Sequence, residues 1–102
     1  MALATVHLVD SLKMGDFYFT KDAGPLALKY LEQGLYKEIG PFDVGNLEGE
    51  DAAEYLFELA NDPYRQAERE RTYGRGRSLS VGDVVQVNGD LYLCRPTGWV
   101  VL

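Results

Sequence analysis

The densest group of side chains that could bind a ligand in this chain consists of five arginines within thirteen residues: Arg65, Arg69, Arg71, Arg75 and Arg77. Arginines on a glycine-rich segment can grip phosphates and stack on bases, so one interpretation is nucleic-acid binding by this segment. The other is a solvated helix and loop whose arginines pair with Glu68, Glu70 and acids elsewhere, because runs of charge are usually exposed surface. The sequence favours the second interpretation and keeps the first as the alternative.

A second candidate group is acidic. Glu50, Glu54 and Glu58 recur every four residues, which places them on one side of a helix as an exposed acidic ridge. We take these glutamates together with Trp99 as the candidate protein-binding residues, since tryptophan is enriched in interface hot spots. The plainer interpretation is that the glutamates are the solvated face of an amphipathic helix and that Trp99 anchors the last strand.

Catalytic interpretations rest on isolated residues. Asp83 follows Gly82 before a predicted strand, which is typical of a turn aspartate that accepts hydrogen bonds from backbone N–H groups. His7 and Cys94 could act together only if the fold brought them into contact beside an oxyanion site. The glycine- and arginine-rich stretch at 74–80 lacks the Lys-Ser/Thr ending of a phosphate-binding P-loop. We therefore expect no catalytic residue, and the protein is predicted not to be an enzyme.

Composition narrows the remaining classes. The 102 residues suit one domain, and one cysteine with one histidine predicts neither a disulfide framework nor a metal site; no cofactor is expected. The net charge is −6, with residues 1–62 at −8 and residues 63–102 at +2. No apolar run is long enough to span a membrane, and no signal peptide is expected, so we predict a cytoplasmic protein.

The elements that must position these residues follow from periodicity and turn signals. Strands are expected at 2–9, 36–44, 84–87, 91–94 and 99–102, with 36–44 at an edge or bent by Gly40-Pro41. Helices are expected between Asp22 and Gly34, at 50–61 and, short and polar, at 64–72. Residues 16–20 could form a brief strand or a core-packing loop, and a mobile loop is expected at about 72–79. Asn88-Gly89 predicts a tight hairpin.

Together these elements predict a single α+β domain over residues 1–102. Its sheet is small, bent and mostly antiparallel, it ends in a C-terminal β-meander, and it carries two to three helices. Of these, the two main helices are expected to pack on one side of the sheet. The domain is expected to be a monomer or a homodimer, since exposed sheet edges can support pairing.

One stretch resembles a known family. The residues Arg77-Ser-Leu-Ser-Val-Gly-Asp-Val84, followed by Tyr92 and Gly98-Trp99, resemble the YodL-like domains. These are small domains found largely in phages, plasmids and other mobile elements, and no molecular role is established for them. The resemblance implies a setting, the bacterial or phage-infected host cell, rather than a reaction. Our first hypothesis for function is a non-enzymatic interaction module of a phage or other mobile element that binds a host or element protein through the acidic helix, with the arginine-rich loop as a second contact. Inhibition of a host defence system is one version of that role.

Overall fold

The computed structural model describes residues 2–18, 20–74 and 77–102. These residues form an α+β fold, as predicted. The strands are β1 (Leu3–Val9), β2 (Tyr36–Asp43), β3 (Val84–Val87), β4 (Asp90–Cys94) and β5 (Trp99–Val101). The helices are α1 (Ala23–Glu32), α2 (Gly49–Asn61) and α3 (Gln66–Thr72), with short 3₁₀ helices at Met14–Phe17 and Pro63–Arg65.

The five strands make one antiparallel sheet in the order β2-β1-β3-β4-β5. The predicted C-terminal meander is confirmed, because β3, β4 and β5 are consecutive neighbours. Asn88 and Gly89 both have positive φ, 51° and 88°, as a two-residue turn between right-twisted strands requires. The local turn chemistry of two residues therefore sets the register of the meander.

Strand β2 lies at one edge of the sheet, in agreement with the prediction for 36–44. It pairs only with β1, and the register shifts between Ala4 and Val6. Such an irregularity bends an edge strand and makes it a poorer template for pairing with another chain. The opposite edge of the sheet is β5.

The helices cover both faces of the sheet, so the expectation that the two main helices share one side is wrong. Side chains alternate along a strand, and β1 sends Val6 to one face and Val9 to the other. Leu56 of α2 belongs to the Val6 cluster, whereas Ala27 of α1 belongs to the Val9 cluster. The sheet is therefore the middle layer between α1 on one face and α2 with its neighbours on the other.

The aromatic segment after β1 forms a 3₁₀ helix rather than a strand, and Phe17 at its end is fully buried. Its ring meets Tyr30 of α1 edge-on, with ring centroids 5.8 Å apart. Gly82 lies directly against it: a Cβ at Gly82 would come within 2.7 Å of Phe17 Cδ2. Phe19, which belongs to the segment at 16–20 expected to form a brief strand or a core-packing loop, lies outside the described residues.

The short polar helix predicted at 64–72 is present as Pro63–Arg65 followed by α3. Around the loop expected at about 72–79, the described residues are held by buried contacts. Tyr73 is buried and its hydroxyl donates to the Arg77 carbonyl at 2.6 Å, and Leu79 is buried in the α2-side core. Both ends of this loop are therefore parts of the packed domain.

Candidate protein-binding site

Asp83 accepts hydrogen bonds from backbone N–H groups, as predicted, and it also bonds residues far away in the chain. Its carboxylate is fully buried and accepts backbone N–H bonds from Val9 (2.9 Å) and Ser80 (2.8 Å). Arg77 donates to both carboxylate oxygens and also to the Val9 carbonyl at 3.0 Å. Burial raises the pKa of Asp83, and the Arg77 guanidinium and the two backbone donors oppose that rise.

The stretch that carries the resemblance to YodL-like domains is thus accounted for by packing. Leu79 fills the core on the α2 side, Gly82 makes room for Phe17 on the other face, and Asp83 joins both to the end of β1. Each of these positions requires its residue type for a physical reason. The stretch closes the fold: Arg77 and Asp83 bond each other and Val9, and the Ser78 hydroxyl donates to the Ala60 carbonyl.

The described arginines of the cluster are mostly engaged inside the molecule. Arg65 pairs with Glu68 at 2.8 Å and lowers the pKa of that carboxyl. Arg69 donates to the carbonyls of Ala60 and Gly74. Arg77 is paired with Asp83, Arg71 is exposed, and Arg75 lies outside the described residues. The described arginines therefore stabilise α3 and its surroundings, Arg65 by pairing with Glu68 and Arg77 by pairing with Asp83.

The fold separates His7 from Cys94. His7 pairs with Val84 across β1 and β3, and Val84 pairs with Leu93, so all three side chains point to the α1 face. Cys94 is the next residue on β4 and points to the α2 face, where it is buried. His7 bonds Gln86 at 3.1 Å instead, and burial raises the pKa of the Cys94 thiol to about 12. No Cys–His pair is assembled.

The acidic ridge of Glu50, Glu54 and Glu58 is exposed along α2, as predicted. Within residues 2–18, 20–74 and 77–102, no Lys or Arg lies within ion-pair distance of these three carboxylates. Glu50 also lies in the first turn of α2, where a negative charge stabilises the helix dipole. Glu54 and Glu58 lie beyond that turn, so the dipole does not explain them.

The structure brings two of the predicted protein-binding residues together. Trp99 Nε1 donates to Glu54 Oε2 at 2.7 Å, which joins β5 to the acidic side of α2. The indole also meets Phe57 edge-on, with the ring planes at 90° and centroids 6.1 Å apart. Trp99 is half-buried, so it both anchors β5 and remains part of the surface beside the ridge.

Sequence reasoning missed two valines next to this site. Val100 and Val101 follow Trp99 on β5 and are 42% and 60% exposed. The sequence signal was limited to a run of three apolar residues, and the edge position of β5, which leaves that run partly exposed, is known only from the strand order. Val101 lies on the α2 side of the sheet with Trp99 and Glu54, whereas Val100 lies on the α1 side. We call Glu50, Glu54, Glu58, Trp99 and Val101 the α2–β5 face.

Other classes of site have little support in the described part of the chain. Among those residues no group of three His, Cys, Asp or Glu side chains could hold a metal ion. In the same ranges no helix has the length and apolar character needed to cross a membrane.

Comparisons with protein-family models, curated proteins and solved structures find no match to this chain.

Proposed function

We propose that this chain is a non-enzymatic protein-binding module and that its α2–β5 face binds a basic partner protein. The observation that carries the proposal is the hydrogen bond between Glu54 and Trp99, which sets an interface-type aromatic side chain beside a row of carboxylates. Complementary charges around an interface speed and orient association. A few residues carry most of the binding energy, and tryptophan is enriched among them.

The acidic ridge supports the proposal because its like charges are not offset by an ion pair within the described residues. Like charges four residues apart on a helix repel one another and lower helix stability by a few tenths of a kcal/mol per pair. With no described cation in ion-pair contact, Glu54 and Glu58 keep that repulsion in the isolated domain. A basic partner would relieve it on binding.

The resemblance of residues 77–84 to YodL-like domains supplies the setting of the proposal. It implies a host protein or a protein of the mobile element as the partner, in the cytoplasm of a bacterial or phage-infected cell. A basic, nucleic-acid-binding host protein would be one such partner, because a row of carboxylates can present phosphate-like charge. Inhibition of a host defence system would follow if that protein served in defence.

Nucleic-acid binding by the Arg65–Arg77 segment is the alternative, and it has less support. Three of the four described arginines in it already donate to Glu68, to Asp83 or to backbone carbonyls. Binding phosphate with them would first break those bonds. The strongly acidic first part of the chain also opposes nonspecific binding to a duplex.

The test compares matched charge variants in affinity capture from a bacterial lysate treated with nuclease. Glu50→Lys with Glu58→Lys reverses the ridge, and the helix dipole effects of the two changes oppose each other. Glu32→Lys with Glu38→Lys makes the same charge change at exposed positions on α1 and β2. We expect a protein captured by the wild type and the control to be lost by the ridge variant. Equal capture by both variants, or capture abolished by nuclease, would refute the proposal.

A further inference from the structure

We propose that an extended segment of the partner protein adds to the sheet as a new strand along β5. This segment carries an apolar residue between two basic ones. This inference rests on the proposed function and specifies how the α2–β5 face holds its partner. It follows from three features of the same edge: its backbone groups, an apolar groove beside α1, and the acidic ridge.

Within the part of the chain that the structure describes, the backbone of β5 has unpaired groups on its outer side. Leu102 N donates to Leu91 O at 2.9 Å, and Arg95 N donates to Gly98 O at 3.1 Å. Hydrogen-bonded pairs alternate along an antiparallel ladder, so Val100 turns its N–H and C=O toward Leu93. Those of Trp99 and Val101 therefore point away from β4. Such an edge is a template for an added strand.

The groove beside α1 would take the apolar residue of the added strand. Val100 points to the α1 face because its partner Leu93 belongs to the core on that side. There it borders a cavity of about 430 Å³ that also contacts Pro25 and Leu28 of α1. Leu28 is 48% exposed, so two aliphatic side chains in this groove lack cover in the isolated domain. A strand residue opposite Val100 would point into it.

The residues on either side of that apolar one would point to the α2 face. Helix α2 packs over β3 and β4 on this face, and Glu54 reaches the edge by accepting a hydrogen bond from Trp99. The start of α2 lies near Tyr92, the strand partner of Val101, since a Cβ at Gly49 would come 3.0 Å from the Tyr92 hydroxyl. Glu54 therefore places one carboxylate of the acidic ridge beside the open edge. Basic side chains opposite Trp99 and Val101 would be the complementary ones.

Charge also selects against a second copy of this chain as the occupant. Antiparallel pairing of two β5 strands about a two-fold axis would put both α2 helices on the same face of the joined sheet. Two uncompensated acidic ridges would then lie on one surface, and β5 itself supplies no basic residue to offset them. A partner segment with alternating basic and apolar residues fits the edge better.

A short capped peptide of alternating lysine and valine is the probe, with a glutamate–valine peptide as its control. Trp99 is the only tryptophan, so its fluorescence reports binding at this edge. Val101→Pro removes an outward N–H without touching the ladder to β4, and Val101→Thr retains it. We expect Val101→Pro to weaken peptide binding about tenfold, because one hydrogen bond is lost and the added strand pairs imperfectly. Val101→Thr should change the peptide affinity less than about twofold.

The ridge variant and its control from the capture experiment separate the two proposals. If Glu50→Lys with Glu58→Lys abolishes binding while Val101→Pro binds like the wild type, strand addition is wrong and the acidic face stands. If the ridge variant binds like the wild type, both proposals fail. Equal binding of the glutamate–valine peptide, or no binding of either peptide, would also overturn the inference.

Two further measurements test strand addition independently of Val101→Pro and test the rival occupant. If Val101→Pro does not fold by circular dichroism, a lysine–valine peptide N-methylated on alternate residues tests the same hydrogen bonds with the wild-type protein; undiminished affinity would refute strand addition. Sedimentation of the free protein tests the rival occupant. A dimer that Val101→Pro dissociates would show that β5 pairs with itself and would overturn the inference.

Discussion

Arg77 holds Asp83 through two parallel hydrogen bonds, Nη2 to Oδ1 at 2.8 Å and Nη1 to Oδ2 at 3.0 Å. The carboxylate has no solvent exposure, while the arginine side chain keeps 32% of its own. The same arginine nitrogen that bonds Oδ1 also bonds the Val9 carbonyl, whose residue donates its N–H to Oδ1. The pair therefore joins the end of β1 to the start of β3.

Removing either partner of this pair should cost a large part of the domain's stability. We expect Asp83→Ala and Arg77→Met each to lower the free energy of unfolding by about 3 kcal/mol, because each leaves buried polar groups without their partner. The double variant should lose less than the sum, since the second change removes a group already unpaired. Urea unfolding followed by Trp99 fluorescence measures all three. Additive losses would mean that the two residues act independently.

The pH dependence of Arg77→Met gives a second readout for the same pair. Burial raises the pKa of Asp83, and without Arg77 that pKa should rise further. A carboxyl with a raised pKa in the folded state stabilises the fold when protonated, and this stability is lost as the pH rises through that pKa. The variant should therefore lose less stability relative to wild type at about pH 5 than at about pH 8. An equal loss at both would refute the assignment.

Gly82 should tolerate no side chain. Its φ of 98° disfavours any other residue, and an added Cβ would come within 2.7 Å of Phe17. We expect Gly82→Ala to cost about 3 kcal/mol, from backbone strain and overpacking together. Gly89→Ala is the matched control, because φ there is 88° but a Cβ would meet nothing within 4 Å.

The difference between these two variants isolates the contact with Phe17. Gly89→Ala should show the backbone strain alone, about 1 kcal/mol. Combining Gly82→Ala with Phe17→Leu should recover part of the loss, since the smaller side chain vacates the space. If the two alanine variants were equally unstable, the close approach of Gly82 to Phe17 would not matter. Thermal unfolding followed by circular dichroism compares all of them.

Local signals predicted the elements of this fold well. Asn88-Gly89 specifies its turn through backbone conformation alone, and the helical spacing of Ala53, Leu56 and Ala60 specifies the buried side of α2. Neither signal depends on distant parts of the chain. For the same reason the meander and the acidic ridge were predictable residue by residue.

Long-range relationships were not predictable from one sequence. Strand β1 buries residues on both of its faces, Val6 on one and Val9 on the other, so its pattern does not tell which face α1 covers. Asp83 bonds Val9, 74 positions away, and Glu54 bonds Trp99, 45 positions away. Each contact joins residues whose separate patterns are ordinary, and only the strand order brings them together.

Alkaline conditions should unfold the domain through its buried tyrosines. Burial raises the pKa of Tyr73 to about 12, and its hydroxyl donates to the Arg77 carbonyl. An unfolded tyrosine ionises near pH 10, so the unfolded state releases its proton first and stability falls as the pH rises from about 10 to about 12. Tyr73→Phe should flatten that part of the curve of unfolding free energy against pH. An unchanged slope would show that Tyr73 does not carry the effect.

Cys94 should react slowly with thiol reagents, and His7 should not affect the rate. Burial raises the pKa of the thiol to about 12, so very little thiolate exists at about pH 8, and the two side chains lie on opposite faces of the sheet. We expect labelling of this single cysteine to be at least about a hundredfold slower in the native protein than in denaturant. His7→Ala should leave the native rate unchanged. Fast native labelling that His7→Ala abolishes would mean that the two side chains meet, and it would reopen nucleophilic catalysis as a function of this domain.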